Sequence, residues 1–294
     1  MSRAQAGIVM EKLGRAAPDY RFELKIVKTT GDVDLSSPLD RMGGQGIFTK
    51  ELEVELSKGG IDLAVHSAKD LPSRLPEDFM LAAVPERGAV EDALISLTGA
   101  GLHELPPQAK LAAGSPRRRA LVRSLRPDLQ CLEVRGNVDT RLRRLKEGKF
   151  DAIILARAGL QRLGLDHHIA QVLPPEEFLP APGQGALAVE VRSDDHEIIE
   201  LARRVDSPLD HAALLAERSL LKALQAGCSI PVGAWARWRR GKLRMDAIVL
   251  DPQGQTAVRS TGEAETADEA EELGKMLAQD LIANGAGELL SHGR

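Results

Sequence analysis

Short apolar runs recur along the chain, each closed by glycine, proline or charge: IDLAVHS (61–67), MLAAVP (80–85), DALISL (92–97), LQCLEV (129–134), FDAIILA (150–156) and ALAVEVR (186–192). Each has the length of one strand, and near-continuous hydrophobicity marks strands covered on both faces. Helical patterns lie between them, at 4–14, at 48–53 and in the stretch beginning near Arg141. Strand and helix in alternation bury their apolar faces in α/β layers, and the spacing predicts mainly parallel sheets. RFELKIVKT (21–29) reads as a further strand.

A chain of 294 residues has room for two or three domains. A second α/β unit starts with a short strand at 110–113, followed by Ser115-Pro116, the pattern of an N-cap with proline at the first helical position. The segment LPPEEFLPAPGQG (173–185) reads as a crossing between domains, after which ALAVEVR re-enters the first unit. The last ninety or so residues differ. DHAALLAERSLLKAL (210–224) is an amphipathic helix. GAWARW and LRMDAIVL form a hairpin around 239–242, and a strand near Val258 and an acidic helix from Ala267 complete a small α+β domain. The divisions predicted are 1–87 with 186–204, then 88–185, then 205–294.

Composition narrows the function. Aromatic residues make up only 3%, too few for a surface that stacks bases or sugars. No apolar run approaches a membrane span and no signal-peptide pattern opens the chain, so a cytoplasmic setting is expected. Cys131 and Cys228 are too few for a disulfide framework or a four-thiolate metal site. Net charge is −4, yet residues 117–146 hold ten basic side chains against three acids, while 251–288 hold nine acids against two bases. A basic centre in an acidic chain points to a local anion site more than to a nucleic-acid coat.

Within that centre, Arg117 and Arg118 follow Ser115-Pro116, and Arg135 and Arg141 flank a strand-to-helix turn. Strand ends and helix N-termini in α/β folds gather anions, and guanidinium forks grip carboxylates in pairs. On pattern alone these four stand between ligand contact and a solvated face, whereas Arg119, Arg123, Arg143 and Arg144 read as solvated. His66-Ser67-Ala68-Lys69-Asp70 closes the strand IDLAV; Asp70 is either a turn or cap residue before Pro72 or a carboxylate placed to stabilise a cation. His66 has no second histidine or acid at metal-ligand spacing, and no metal is expected. Cys228, in a small-residue turn, is either an available thiol or inert; Cys131 reads as inert. Gly43-Gly44-Gln45-Gly46 lacks the residues of a nucleotide loop and reads as a mobile loop.

Taken in order, GGQGIFTKELE (43–53), IDLAVHSAKDLP (61–72), SPRRR (115–119), EVRGNVDTRL (133–142), FDAIILARAGLQRLGL (150–165), LPAPGQGALAVE (179–190) and AERSLLKALQAGCSIPVGAWA (216–236) resemble the porphobilinogen deaminases, also called hydroxymethylbilane synthases, over almost the whole length. The resemblance implies two domains like the type II periplasmic-binding proteins, with the chain crossing twice, plus a small α+β third. It implies a dipyrromethane cofactor bound through a thioether to Cys228, and a catalytic aspartate at Asp70. It implies a monomeric transferase that condenses four porphobilinogen molecules stepwise into a linear tetrapyrrole with loss of ammonia, without metal, nucleic acid or membrane. Lys69, Ser115, Arg117, Arg118, Arg135, Arg141 and Arg162 would then hold pyrrole carboxylates, with Ser67 and Gln184 beside them.

The sequence departs from the family at three places. The family's opening strand, with its Thr-Arg-x-Ser segment, is absent because this sequence begins inside the following helix near Gln5; a start codon assigned too late is the expected reason. Gln45 stands where the family has lysine, with Arg41 and Lys50 nearby, and Ala113-Gly114-Ser115-Pro116 replaces Thr-Ser-Ser-Leu. The competing readings are an inactive truncated deaminase, a non-catalytic anion-binding module of the periplasmic-binding type, and a nucleic-acid binder using 117–146.

Overall fold

The computed structural model describes residues 1–27, 49–226 and 230–291. Two α/β units joined by two chain crossings, with a smaller α+β unit, make up the architecture, as the resemblance implied. The first unit holds α1 (Ser2–Ala16), α2 (Lys50–Ser57), β1 (Leu63–Ser67) and β2 (Phe79–Ala83). The second holds β3 (Asp92–Ser96), β4 (Lys110–Ala112), α3 (Pro116–Leu125), β5 (Gln130–Leu132), α4 (Val138–Lys146), β6 (Ala152–Ala156), α5 (Arg157–Gln161) and β7 (Gln171–Leu173). The chain returns to the first unit as β8 (Leu187–Arg192) and α6 (His196–Arg203). It ends with α7 (Pro208–Leu224), β9 (Val232–Arg239), β10 (Lys242–Leu250), β11 (Ala257–Ala264), α8 (Ala270–Leu281) and α9 (Gly287–Ser291).

The expectation of mainly parallel sheets is corrected. The first sheet runs β1-β8-β2 with β8 antiparallel to both neighbours. The second runs β5-β4-β6-β3-β7; β4 is parallel to β5 and β6, but β3 is antiparallel to β6 and β7. The strands that run against their neighbours are β3 and β8, the two that follow a crossing and therefore enter each sheet from the opposite end. Residues 21–27 are also not a strand: no described strand pairs with them, Leu24 and Ile26 are exposed, and Lys25 Nζ donates instead to Glu55 Oε2 and Gly60 O. The helix placed near Arg141 begins earlier, at Val138, because the Asn137 side chain caps it by accepting from Thr140 N at 2.8 Å. The loop at 43–46 lies outside the described residues.

Helix α7 anchors the small unit. Its buried stripe of Ala212, Ala216, Leu220 and Leu224 packs on β9, β10 and α8. Glu217 interrupts that stripe, wholly buried, and binds all three units together. Both its oxygens accept from the Arg87 guanidinium (2.8 and 3.0 Å), one accepts from Gly183 N (2.6 Å) and the other from Ala236 N (2.8 Å). Arg87 comes from the first crossing and Gly183 from the second, so a single ion pair holds both crossings against the small unit. A charge pair this deep is tolerated because every oxygen is hydrogen-bonded.

The two crossings also meet backbone to backbone. Gly88 N donates to Gly185 O at 3.2 Å, and Gly185 has φ +88°. A Cβ at Gly185 would lie 2.6 Å from Gly88 O and 2.7 Å from Ala89 O, so both the conformation and the space require glycine. Gly185→Ala is expected to destabilise the fold by about 2–4 kcal/mol through strain and overpacking. Urea unfolding checks this; an unchanged midpoint would show that the crossings do not need to lie so close.

Candidate active site

Several elements end at one pole. The first residue of β3, Asp92, lies opposite the last of β6, Ala156, while parallel β4 and β5 point the same way. In the first unit the end of β1, Ser67, pairs with the start of β8, Leu187. The Gly183 crossing lies against the Ala68–Lys69 backbone, so both ends converge on the second crossing.

At this pole Asp92 is fully buried and organises the arginines. It accepts from Arg117 Nη2 (2.8 Å), from Arg118 Nε and Nη2 (2.9 and 2.7 Å), and from Gln184 Nε2 (3.0 Å). Burial raises its pKa, but the two guanidinium groups outweigh burial and hold it at about 2. The stability it contributes is therefore present above about pH 4 and is lost as pH falls toward 2. Arg117 and Arg118 occupy the first turn of α3, after Pro116 at the first position. Two cations at a helix N-terminus oppose the helix dipole, and leaving such a buried charge unpaired costs about 3–5 kcal/mol. Asp92 answers one positive charge; among the described residues no second carboxylate pairs with the other.

The geometry sorts the residues expected at the site. Arg117 is spent on Asp92 and on Leu179 O (2.6 Å), and Arg118 on Asp92 with a longer contact to Ile154 O. Gln184, only 1% exposed, donates to Val90 O and Asp92 and accepts from Arg118. All three are committed to the protein interior, because a buried carboxylate draws every nearby donor. Arg135 is part-exposed and paired with Glu133 Oε1 (3.0 Å), on the sheet's outer margin with Arg119.

Three other cations behave differently. Lys69 is pushed down to about 8 by burial, opposed by Asp70; Arg118 and Asp92 act on it in opposite directions. It has no ion pair within contact distance among the described residues. Arg141 is pushed down to about 10, first by burial and then by Arg118 and Arg144. Its Nε is buried with no hydrogen-bond partner among the described residues, and its guanidinium lies beside Gly114 at the end of β4. Among the described residues Arg162, lowered by burial, donates only to the Gly185 carbonyl (2.6 Å). Desolvated cations without carboxylates stay charged at neutral pH only at a cost, and an anion entering among them relieves it.

Hydroxyls and a carboxylate complete the set. Ser115 has extended backbone at the N-cap but its side chain makes no cap bond. Ser67 is half-buried at the end of β1. Asp70 closes a single 3-10 turn, Ala68–Asp70; its carboxylate is exposed, makes no hydrogen bond among the described residues, and so does not serve as a cap. Cys228 lies outside the described residues, just after α7. Cys131 is half-buried with its thiol pushed up by burial, as its inert reading expects. No group of three potential metal ligands occurs among the described residues.

Sequence reasoning missed Asp92 and Glu217. Each carried a signal: an aspartate opening a wholly apolar strand, and a glutamate on the buried stripe of an amphipathic helix.

Comparison with known proteins identifies the family. Residues 1–200 match the family model described as porphobilinogen deaminase, dipyromethane cofactor binding domain, and 211–283 match porphobilinogen deaminase, C-terminal domain. The porphobilinogen deaminase of Desulforudis audaxviator is 47% identical across 100% of this chain and 95% of its own. That of Chlorobaculum tepidum is 43% identical across 98% and 93%. Among solved structures, a double mutant of the BvgS VFT2 domain of Bordetella pertussis covers 74% of this chain and 82% of its own at 14% identity, with a TM-score of 0.42. The chain belongs to the porphobilinogen deaminase family.

Proposed function

We propose that the protein is a porphobilinogen deaminase, a transferase that condenses four porphobilinogen molecules into linear hydroxymethylbilane and releases ammonia at each addition. The observation that carries this reading is the set of desolvated cations without carboxylate partners among the described residues, Lys69, Arg141 and Arg162, around an arginine pair bound to the single carboxylate of Asp92. Every pyrrole of substrate and product carries an acetate and a propionate, so each addition brings two negative charges. The same cations fit a dipyrromethane, which bears the same carboxylates; Lys69, Arg141, Arg162 and Ser115 would hold it. When bound to Cys228 through a thioether, it supplies the free pyrrole α-carbon to which units are added.

The chain's own residues do the rest. Arg117 and Arg118, bound to Asp92, supply a fixed positive field rather than direct grips, and Gln184 holds Asp92 in place. Arg135, exposed beside Glu133, and Ser67 are outer contacts for later units. Asp70, with no competing hydrogen bond among the described residues, accepts from pyrrole N–H groups and stabilises the cation left when the substrate's ammonia departs. Its carboxyl also passes the proton that the leaving amine needs. Lys69 beside it keeps substrate carboxylates in register. This reading takes 1–87 with 186–204, 88–185 and 205–294 as three domains of a cytoplasmic monomer that needs no metal, membrane or nucleic acid. No described helix is long and apolar enough to cross a membrane.

Intact-mass measurement of the purified chain tests the assignment. A mass excess of two condensed pyrroles, absent from Cys228→Ser, is expected; the same unmodified mass in both would overturn the tether. Asp70→Asn should keep the mass excess while turnover falls by about two orders of magnitude or more. The Lys69 ammonium is lost as pH rises through about 8, so the KM for porphobilinogen should climb between about pH 7 and 9. Lys69→Arg, charged throughout, should flatten that rise; an identical rise in both would remove Lys69 from substrate binding.

A further inference from the structure

A second buried polar group lies behind the Asp70 turn. His66 on β1 and Glu190 on β8 sit on one face of neighbouring antiparallel strands, and His66 Nε2 is 2.8 Å from Glu190 Oε2. Their side chains are 6% and 0% exposed. The other glutamate oxygen, Oε1, is buried and has no hydrogen-bond partner among the described residues. At the other end of the turn stands Arg218 of α7, whose charge is disfavoured by burial and supported by Glu190. Arg218 Nη2 donates to Pro72 O at 2.7 Å.

These contacts bracket one short segment. His66 immediately precedes Ser67, and Pro72 immediately follows Leu71, so residues 67–71, with Lys69 and Asp70 among them, are tied at both ends. One tie leads to β8 and the other to α7, which ends at Leu224 with Gln225 in left-handed backbone, shortly before Cys228 in sequence. A buried carboxylate is a poor device for stability, since an apolar residue of similar volume is often as good or better. Its advantage is geometric: a hydrogen bond selects one placement of strand against strand, where apolar packing tolerates several.

We propose that His66, Glu190 and Arg218 are positioning residues, a polar seam that holds both ends of the turn bearing Lys69 and Asp70, one against β8 and the other against the helix leading to Cys228. The inference rests on the deaminase reading and extends it to residues that touch neither substrate nor cofactor. Glu190→Gln retains an acceptor for His66, whereas Glu190→Leu keeps the volume and removes the bond. For Glu190→Leu, kcat should fall roughly 30-fold with KM changed less than about threefold, the signature of misplacement rather than weakened binding. Glu190→Gln should recover to within about fivefold of the native rate.

Hydrogen exchange gives a readout independent of turnover: amides of 68–71 should exchange faster in Glu190→Leu than in Glu190→Gln, with the strands of the second unit unaffected. If Glu190→Leu does not fold, His66→Asn, too short to reach Glu190, carries the same comparison. Unchanged kcat and unchanged exchange in a folded Glu190→Leu would overturn the seam, as would a Glu190→Gln no better than Glu190→Leu. Absence of turnover by the native chain would sink the deaminase reading instead, and the exchange comparison would still decide the seam.

Discussion

Asp92 between Arg117 and Arg118 is the interaction on which the site depends. A helix that starts with two arginines works against its own dipole, and burying them adds desolvation. One carboxylate, reached from the neighbouring strand and steadied by Gln184, makes that arrangement tolerable without cancelling it. The remaining positive charge is felt at Lys69 and Arg141, both of which Arg118 pushes down. The pole is thus built around fixed cations that the protein leaves uncompensated, which suits ligands that arrive carrying carboxylates.

The placement of that pole follows from the crossings. Because β3 and β8 each enter a sheet from the opposite unit, Asp92 and Ser67 lie beside the same crossing segments. Glu217 then ties both crossings to α7 through Arg87 and Gly183, so the small unit is oriented by the same few residues that frame the site. Preorganised charges of this kind need a rigid frame, since a misplacement of about 1 Å can cost two orders of magnitude in rate.

Much of this was legible in the sequence. Apolar runs located the strands, Ser115-Pro116 located α3, and Arg240-Gly241, both at positive φ, closes the hairpin expected around 239–242. Strand direction was not legible, because a buried run reads the same in a parallel or an antiparallel neighbourhood. Residues 21–27 alternate like a strand, but a ladder needs a partner that no local pattern supplies. Among the arginines, sequence placed the cluster but not the division of labour. Arg117 and Arg118 turn inward because Asp92, distant in sequence, meets them; Arg141 remains free of carboxylates because nothing comparable meets it among the described residues.

The most direct test of the uncompensated-cation account is the KM of Arg141→Met for porphobilinogen. A charge-assisted contact is worth about 1.5–3 kcal/mol, so KM should rise about tenfold or more while the protein stays folded. An unchanged KM would mean that this desolvated guanidinium does not meet substrate carboxylates, and would contradict the account at its centre.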